Sequence, residues 1–502
     1  MSIKKLAGET IIYGISSIAG RALSFLLLTP LHTNKLGFAI PQEEYGLQTR
    51  LYSLIGLFFI FFVYRLELAY FRFGTENEQE EQTAFNVAGL SIVFSTIFLG
   101  TGLFLFADLW ANLLDYPQYA HLIRLAVGII VVDALCEIPY AKLRLEQRPI
   151  RFAVIRFTGL LLNLCLNFFF LYFCPRALAS EAWASIHPFL QSAYFAESPL
   201  TYVFLSGFLA NTVTLLLLSP TLLRLRLAQF DWAYWRRMLG YAFPLVIVGI
   251  AHILNENFDK MIMSEVLDGT KEENNIQLGI YGACYKLTMF MTLFTQAFRY
   301  GAEPFFFRQK TASNAREIYA QVAKYFAIIG AIAFLVVLLY IDFFKEIIGT
   351  EYWSGLKIVP ILLLANLFLG LYYNCSIWYK LIDETKWGAY ISIIGASITL
   401  VLNFLLIPLI GYIGAAWATF ACYLSMLLIA YFLGQRKYPI PYDVGRIALY
   451  VLSAVLLYGI SIWVRPFLLE KLLFIIGFNS LLFLIYLIFI GVLEGKELKT
   501  LL

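Results

Sequence analysis

The stretch LFFIFFVYRLELAYFRF (57–73) decides how the rest of the chain is read. Its aromatic and aliphatic residues suit a segment dissolved in lipid, yet Arg65 and Glu67 stand in the middle of it. Charge at such depth is costly and usually faces a bundle interior or an aqueous cavity. The segment therefore predicts a membrane helix whose charges have a task.

Segments of the same kind recur along the chain, each near the twenty or so apolar residues that cross a hydrocarbon core. They lie near 9–31, 51–72, 84–106, 119–140, 152–173, 201–222 and 238–258. The series continues near 278–298, 319–341, 355–379, 386–408, 411–434, 444–464 and 469–493. A soluble domain could hide one such helix, not all of these. A transmembrane barrel would show shorter alternating segments, which are absent. The expectation is an all-α polytopic membrane protein with about fourteen transmembrane helices.

Composition agrees. Of 502 residues, 61% are hydrophobic and 14% charged, with a mean hydropathy of +0.75. Soluble domains are nearer half apolar and a quarter charged. The net charge of +4 is too slight to suggest a nucleic-acid partner.

The distribution of Lys and Arg sets the orientation. With a cytoplasmic N-terminus, inside connections carry Lys142, Arg144, Arg148 and Arg151, then Arg224, Arg226, Arg236 and Arg237. Arg308, Lys310 and Arg316 follow, then Arg436, Lys437 and Arg446. The outside connection 174–200 has only Arg176 and 107–118 has none. Acidic TENEQEEQ (75–82) is an inside exception, but acids weigh little in this rule. Both termini are expected in the cytoplasm of a bacterial inner membrane. No small-residue cleavage site follows MSIKK, so the first span is expected to be retained.

Other chemistries find little support. The six cysteines lie in or at the ends of spans, without a CxxC pair or a companion His at ligand spacing, and read as packing residues. The four histidines are scattered. There is no phosphate-binding GxxxxGK[ST] loop, so the chain is not expected to hydrolyse ATP.

An internal repeat is visible. EEYG (43–46) through YRLELAYFRF (64–73) parallels GIYG (279–282) through FRYGAEPFFF (298–307). Each begins with an aromatic–Gly pair and ends in aromatic–Arg, an acid, then more aromatics. The interval from Gly46 to Arg65 is nineteen residues, and that from Gly282 to Arg299 is seventeen. Parallel repeats of helices are a known transporter plan, with the substrate path between the halves.

Four stretches carry a family resemblance: IIYGISSIAGRALSFLLLTPL (11–31), LGYAFPLVIVGIAHILNENFDKMIM (239–263), GIYGACYKLTMFMTLFTQAFRYGAEPFFF (279–307) and IPLIGYIGAAWATFACY (407–423). With them the chain resembles the polysaccharide-export, Wzx-like and MurJ-related branch of the multidrug/oligosaccharidyl-lipid/polysaccharide exporter superfamily. The resemblance implies two six-helix lobes in a V around a central cavity, plus two C-terminal helices that can form a lipid groove. On that pattern 1–225 is an N-lobe, 226–435 a C-lobe and 436–502 the terminal pair. It also implies a flippase for polyprenyl-diphosphate-linked oligosaccharide, not an enzyme, working by alternating access. Membrane lipids and polysaccharide assembly proteins are the other partners it suggests. The alternatives are a MATE-like cation antiporter, whose branch typically has twelve helices, and a membrane polymerase or glycosyltransferase.

Candidate site residues follow from intramembrane charge. Arg21, Arg65 and Lys286 come from the first, second and eighth spans. In MurJ-like proteins cations from these helices face the diphosphate. Glu67, Arg299 and Glu303 are candidates for an inner gate, since Arg299 and Glu303 share a helix face and Pro304 should end the regular helix there. Asp133 and Glu137 are candidate carboxylates for H+ or Na+ coupling, with Arg144 or Arg156 as alternative structural partners. Glu256 and Asp259 suggest an outer gate or a salt bridge with Lys260. No metal or other cofactor is expected.

Overall fold

The computed structural model describes residues 19–33, 40–75, 78–194, 198–310, 312–382, 384–468 and 472–501. Among these the chain is helical, without strands. Eleven helices are long and apolar enough to cross a membrane. Three expected spans are not among the eleven. The first is described only from residue 19 onward. The fourth is a helix of membrane length that carries several charges, and the eighth is broken near its middle.

The chain divides into two compact units, Met1–Gly282 and Ala283–Leu502. The first contains α1 (19–32), α2 (Gln42–Val63), α3 (Leu66–Phe73), α4 (Glu78–Leu105) and α5 (Ala120–Leu145). It continues with α6 (Pro149–Phe168), α7 (Pro199–Leu222) and α8 (Trp232–Val266), and with most of α9 (Lys271–Leu287). α8 starts under an Asp231 N-cap, whose carboxylate accepts from the Ala233 and Tyr234 amides at 2.8 and 2.9 Å. Its N-terminal part packs into a core that includes Phe62, Leu66, Tyr70, Phe85, Ile130 and its own Met238.

Helices in lipid gain little from burying apolar surface against one another, so close packing and interhelical hydrogen bonds hold them. The two glycine motifs of the repeat show this directly, because they pack on each other. A Cβ at Gly46 would stand 2.0 Å from the Asn275 carbonyl oxygen, and one at Gly279 would stand 2.4 Å from that of Gln42. Gly282 lies against the Thr49 side chain in the same way. Larger residues would force α2 and α9 apart. Outside the core, Phe98, Leu216 and Ile150 stand exposed on their helices, as lipid-facing residues should.

The second unit contains α10 (Met289–Gln309), α11 (Ala315–Leu339), α12 (Val359–Cys375), α13 (Lys386–Ile410), α14 (Tyr412–Lys437), α15 (Val444–Val464) and α16 (Leu472–Leu501). The last two pack on α11, and polar contacts fasten them along its length. Lys324 Nζ lies 2.6 Å from the Glu494 carboxylate, which Tyr450 also donates to and Arg446 approaches at 3.4 Å. Asn479 donates to the Leu339 carbonyl and accepts from Ser461. At the far end Arg465 donates to both oxygens of Asp342, at 2.7 and 2.8 Å.

One local expectation is corrected here. Pro304 does not end its helix, for α10 runs on to Gln309. Membrane helices tolerate an internal proline where neighbouring groups or local adjustments satisfy the freed carbonyl.

Candidate functional site

The second expected span is not one helix. α2 stops at Val63 and α3 begins at Leu66, and the residues between them, Tyr64 and Arg65, have φ of 34° and 58°. Neither is glycine. The left-handed conformation costs roughly 1–2 kcal/mol for each such residue, so neighbours must enforce it.

They do so from two sides. Ser95 of α4 donates to the Phe62 carbonyl that the break leaves open, at 2.9 Å. The Tyr64 hydroxyl pairs with the Ser91 hydroxyl of α4, and the Trp235 indole of α8 donates to Ser91 Oγ at 2.6 Å. Tyr64 is thus pinned and Arg65 is turned out of the helix.

Arg65 then lies on α8. A Cβ at Gly249 would stand 2.7 Å from its Nε and 2.8 Å from its Nη2, so glycine at this position gives the guanidinium a flat seat. The side chain is 32% exposed, while that of Glu67 is 10% exposed. Arg65 Nη1 approaches Glu67 Oε1 at 3.5 Å, a loose ion pair.

Glu67 also has company from α5. The charge of Glu137 acts on it, and Glu137 is 3.5 Å from Arg144, whose guanidinium lies over the ring of Phe71 on α3. The structure therefore brings Arg65, Glu67, Glu137 and Arg144 together at the α3–α5 junction. Asp133, one turn up α5, is half-buried and lies in the field of Arg156, whose guanidinium stacks on Tyr140. Of the two structural partners considered for these acids, Arg144 takes Glu137 and Arg156 acts on Asp133.

The remaining candidates are placed as follows. Arg21 is exposed on α1. Asp259 is 3% exposed, accepts from the Tyr281 hydroxyl of α9, and lies 3.4 Å from Lys260. Its salt bridge with Lys260 is therefore present, and it also ties α8 to α9. Glu256 faces His252 at 3.9 Å. In the second unit Lys286 is half-buried one residue before the end of α9. Arg299 of α10 lies over the Tyr373 ring of α12, 4.9 Å from its centroid. The Glu303 side chain lies outside the described ones.

The sequence reading missed Arg50, placed at the edge of a connection. It is 3% exposed, 2.5 Å from Glu265, and stacked on Tyr116, which donates to Asn275 at 2.6 Å. Lys271 closes the cluster against Glu265 at 2.5 Å. A lone arginine at a span boundary gives no sign of such partners. The seat at Gly249 was equally hidden, since one glycine in VIVGIAH says nothing of what lies on it. Among the described residues no group of three or more His, Cys, Asp or Glu could hold a metal ion.

Residues 40–358 match the family described as "Polysaccharide biosynthesis protein". No curated relative matches the chain. Among solved structures, the fold is similar to "Lipid II flippase MurJ, inward closed conformation" at a TM-score of 0.67 and 14% identity, covering 97% of this chain and 100% of that one. It is similar also to an inward-facing multidrug resistance MATE family transporter of the MOP superfamily, at 0.62 and 11% over 88% of this chain and 98% of that one. An outward-facing structure of a MATE family transporter gives 0.59 and 12%, over 88% and 96% of the two chains. Likeness at these identities speaks for the fold alone.

Proposed function

The chain belongs to the polysaccharide biosynthesis family, and from that premise we propose that it moves a polyprenyl-diphosphate-linked oligosaccharide across the membrane. The cargo, a precursor of surface polysaccharide or O-antigen, passes from the inner to the outer leaflet by alternating access. The observation that carries this reading is Arg65. A strained break, two serines and a glycine seat are spent on presenting one half-exposed guanidinium within an apolar bundle. A structural arginine needs no such apparatus, whereas a diphosphate needs a presented bidentate donor.

Arg21, Arg65 and Lys286 are the proposed diphosphate contacts. Glu67, Arg299 and Glu303 serve the inner gate, and Glu256 and Asp259 the outer. Asp133 and Glu137 are proposed for H+ or Na+ coupling. The Lys and Arg bias of the connections supports cytoplasmic termini in a bacterial inner membrane. Membrane lipids and polysaccharide assembly proteins are the proposed partners.

The second reading is a MATE-like cation antiporter. The fold likeness and the half-buried Asp133 favour it. The two readings differ in sign. In a strain whose only copy carries Arg65→Ala or Arg21→Ala, lipid-linked intermediate should accumulate on the inner leaflet while surface glycan is lost. An antiporter for cations would keep or gain activity when positive charge is removed. Normal surface glycan in both strains, with normal amounts of protein in the membrane, would sink the flippase site.

A further inference from the structure

Glu67 presents an imbalance that the diphosphate reading leaves unused. The residue is 7% exposed, and its Oε2 is buried without a hydrogen-bond partner among the described residues. Its cation, Arg65, stands at 3.5 Å and is itself a third exposed. Glu137 adds a second negative charge from α5. The carboxylate thus depends on a loosely held arginine that is displayed for another anion.

We propose that Arg65 exchanges Glu67 for the substrate diphosphate, and that Glu67, left without its counter-charge, takes up a proton. This rests on the flippase reading and adds to it a linkage between substrate and proton.

The chemistry favours the exchange. A diphosphate brings more charge than a carboxylate and matches the guanidinium fork with two oxygens. A buried carboxylate that loses its cation beside a like charge neutralises itself by binding a proton. The proton comes from the water that admits the substrate and returns to water when Arg65 swings back. It offsets one negative charge of the incoming diphosphate, and no bond is made or broken except that O–H. Linkage is reciprocal, so the proton strengthens diphosphate binding by the factor that the diphosphate strengthens proton binding.

The neighbouring charges leave this role to Glu67. From α5, Glu137 is engaged by Arg144. From α4, Glu81 is held by Lys142 at 3.0 Å and by the Tyr70 hydroxyl. From α8, the surface under Arg65 is Gly249, and the titratable groups farther along, His252 and Glu256, face each other.

The test uses the full chain in lipid nanodiscs and farnesyl diphosphate as the probe. Binding is measured by calorimetry near pH 8, where a phosphate of this kind is ionised. Two buffers of different ionisation heat give the number of protons exchanged. Wild type should take up about one proton per probe bound, and the affinity should fall by up to about tenfold per pH unit as pH rises. Glu67→Gln should bind with no such uptake, as tightly as wild type or up to roughly tenfold more tightly, since Arg65 no longer has a competing partner. An equal proton count in the two proteins overturns the inference. Should Glu67→Gln fail to fold, Glu137→Gln decides, because removing the like charge should lower the count, and a wild-type count overturns the proposal. Binding that needs Arg65 but takes up no proton defeats this inference alone. A wild-type protein that does not bind the probe, or an Arg65→Ala protein that binds it equally well, defeats the diphosphate site and the inference with it.

Discussion

One charge cluster in each compact unit makes a comparison, because the two are built to opposite specifications. At the α3–α5 junction the ion pairs are 3.5 Å long and both arginines are about a third exposed. At the α11–α15–α16 junction Lys324 and Glu494 meet at 2.6 Å, with the glutamate fully enclosed and Tyr450 filling its hydrogen-bonding capacity. A tight, saturated and buried pair has no room for a ligand and serves to fix helices. A loose pair with one oxygen unpartnered is a site that can change partners. Incomplete pairing is thus what separates the proposed substrate site from the structural cluster.

The comparison breaks first at Glu494. Replacing it by Ala strands Lys324 in the core, and losing one member of a buried pair costs about 3–5 kcal/mol. Unfolding of the purified protein in mixed detergent should show this, and the double change Lys324→Met with Glu494→Leu should recover most of it. A loss below about 1 kcal/mol would mean that the cluster does not fasten the terminal helices.

Arg65→Ala should behave in the opposite way. Losing a charge-assisted hydrogen bond of about 1.5–3 kcal/mol should cut transport roughly ten- to a hundredfold. Stability should change by less than about 1 kcal/mol, as for a partly exposed pair. Arg65→Lys should restore only part of the transport, because it keeps the charge without the fork.

Gly249→Ala sharpens the same contrast. The atoms nearest the new methyl are the far end of the flexible Arg65 side chain, so the fold should yield at Arg65 rather than at α8. Transport should fall by roughly tenfold with the melting temperature unchanged. A protein that melts several degrees lower with full transport would show that the seat is structural.

The smallest effect concerns the far end of the terminal pair. Burial raises the Asp342 carboxyl, but the donors Lys345 and Arg465 outweigh it and hold the group below its ordinary value. A depressed carboxyl stabilises at pH above its unfolded value and loses that contribution as pH falls through the folded one. Stability should therefore drop below about pH 4 by less than about 1 kcal/mol, a drop that Asp342→Asn should abolish. An unchanged acid limb in that variant would dismiss the pair as a contributor.

Much of this architecture could be read from hydropathy, because a run of twenty apolar residues has few alternatives to a membrane helix. The glycine motifs of the repeat were also legible, although their direct packing on one another was not. The break at Tyr64–Arg65 was not legible, since neither residue is a helix breaker and the contacts that enforce it, Ser91, Ser95 and Trp235, are distant in sequence. Pro304 misled for the converse reason, as a strong local signal that the membrane helix overrides. Glu494, beyond the last apolar run, reads as part of a polar tail until its three partners are seen. The candidate cations could be named from depth alone. Which acids meet them required coordinates.

The most direct test of the central claim is transport by the purified protein in liposomes. Fluorescent polyprenyl-diphosphate oligosaccharide and a cationic dye would be offered in parallel to wild type and to Arg65→Ala. Translocation of the lipid-linked sugar by wild type, reduced at least roughly tenfold in Arg65→Ala and with no dye uptake by either, is the predicted result. Dye uptake that survives or rises in Arg65→Ala, with no translocation of the sugar lipid by wild type, would contradict it.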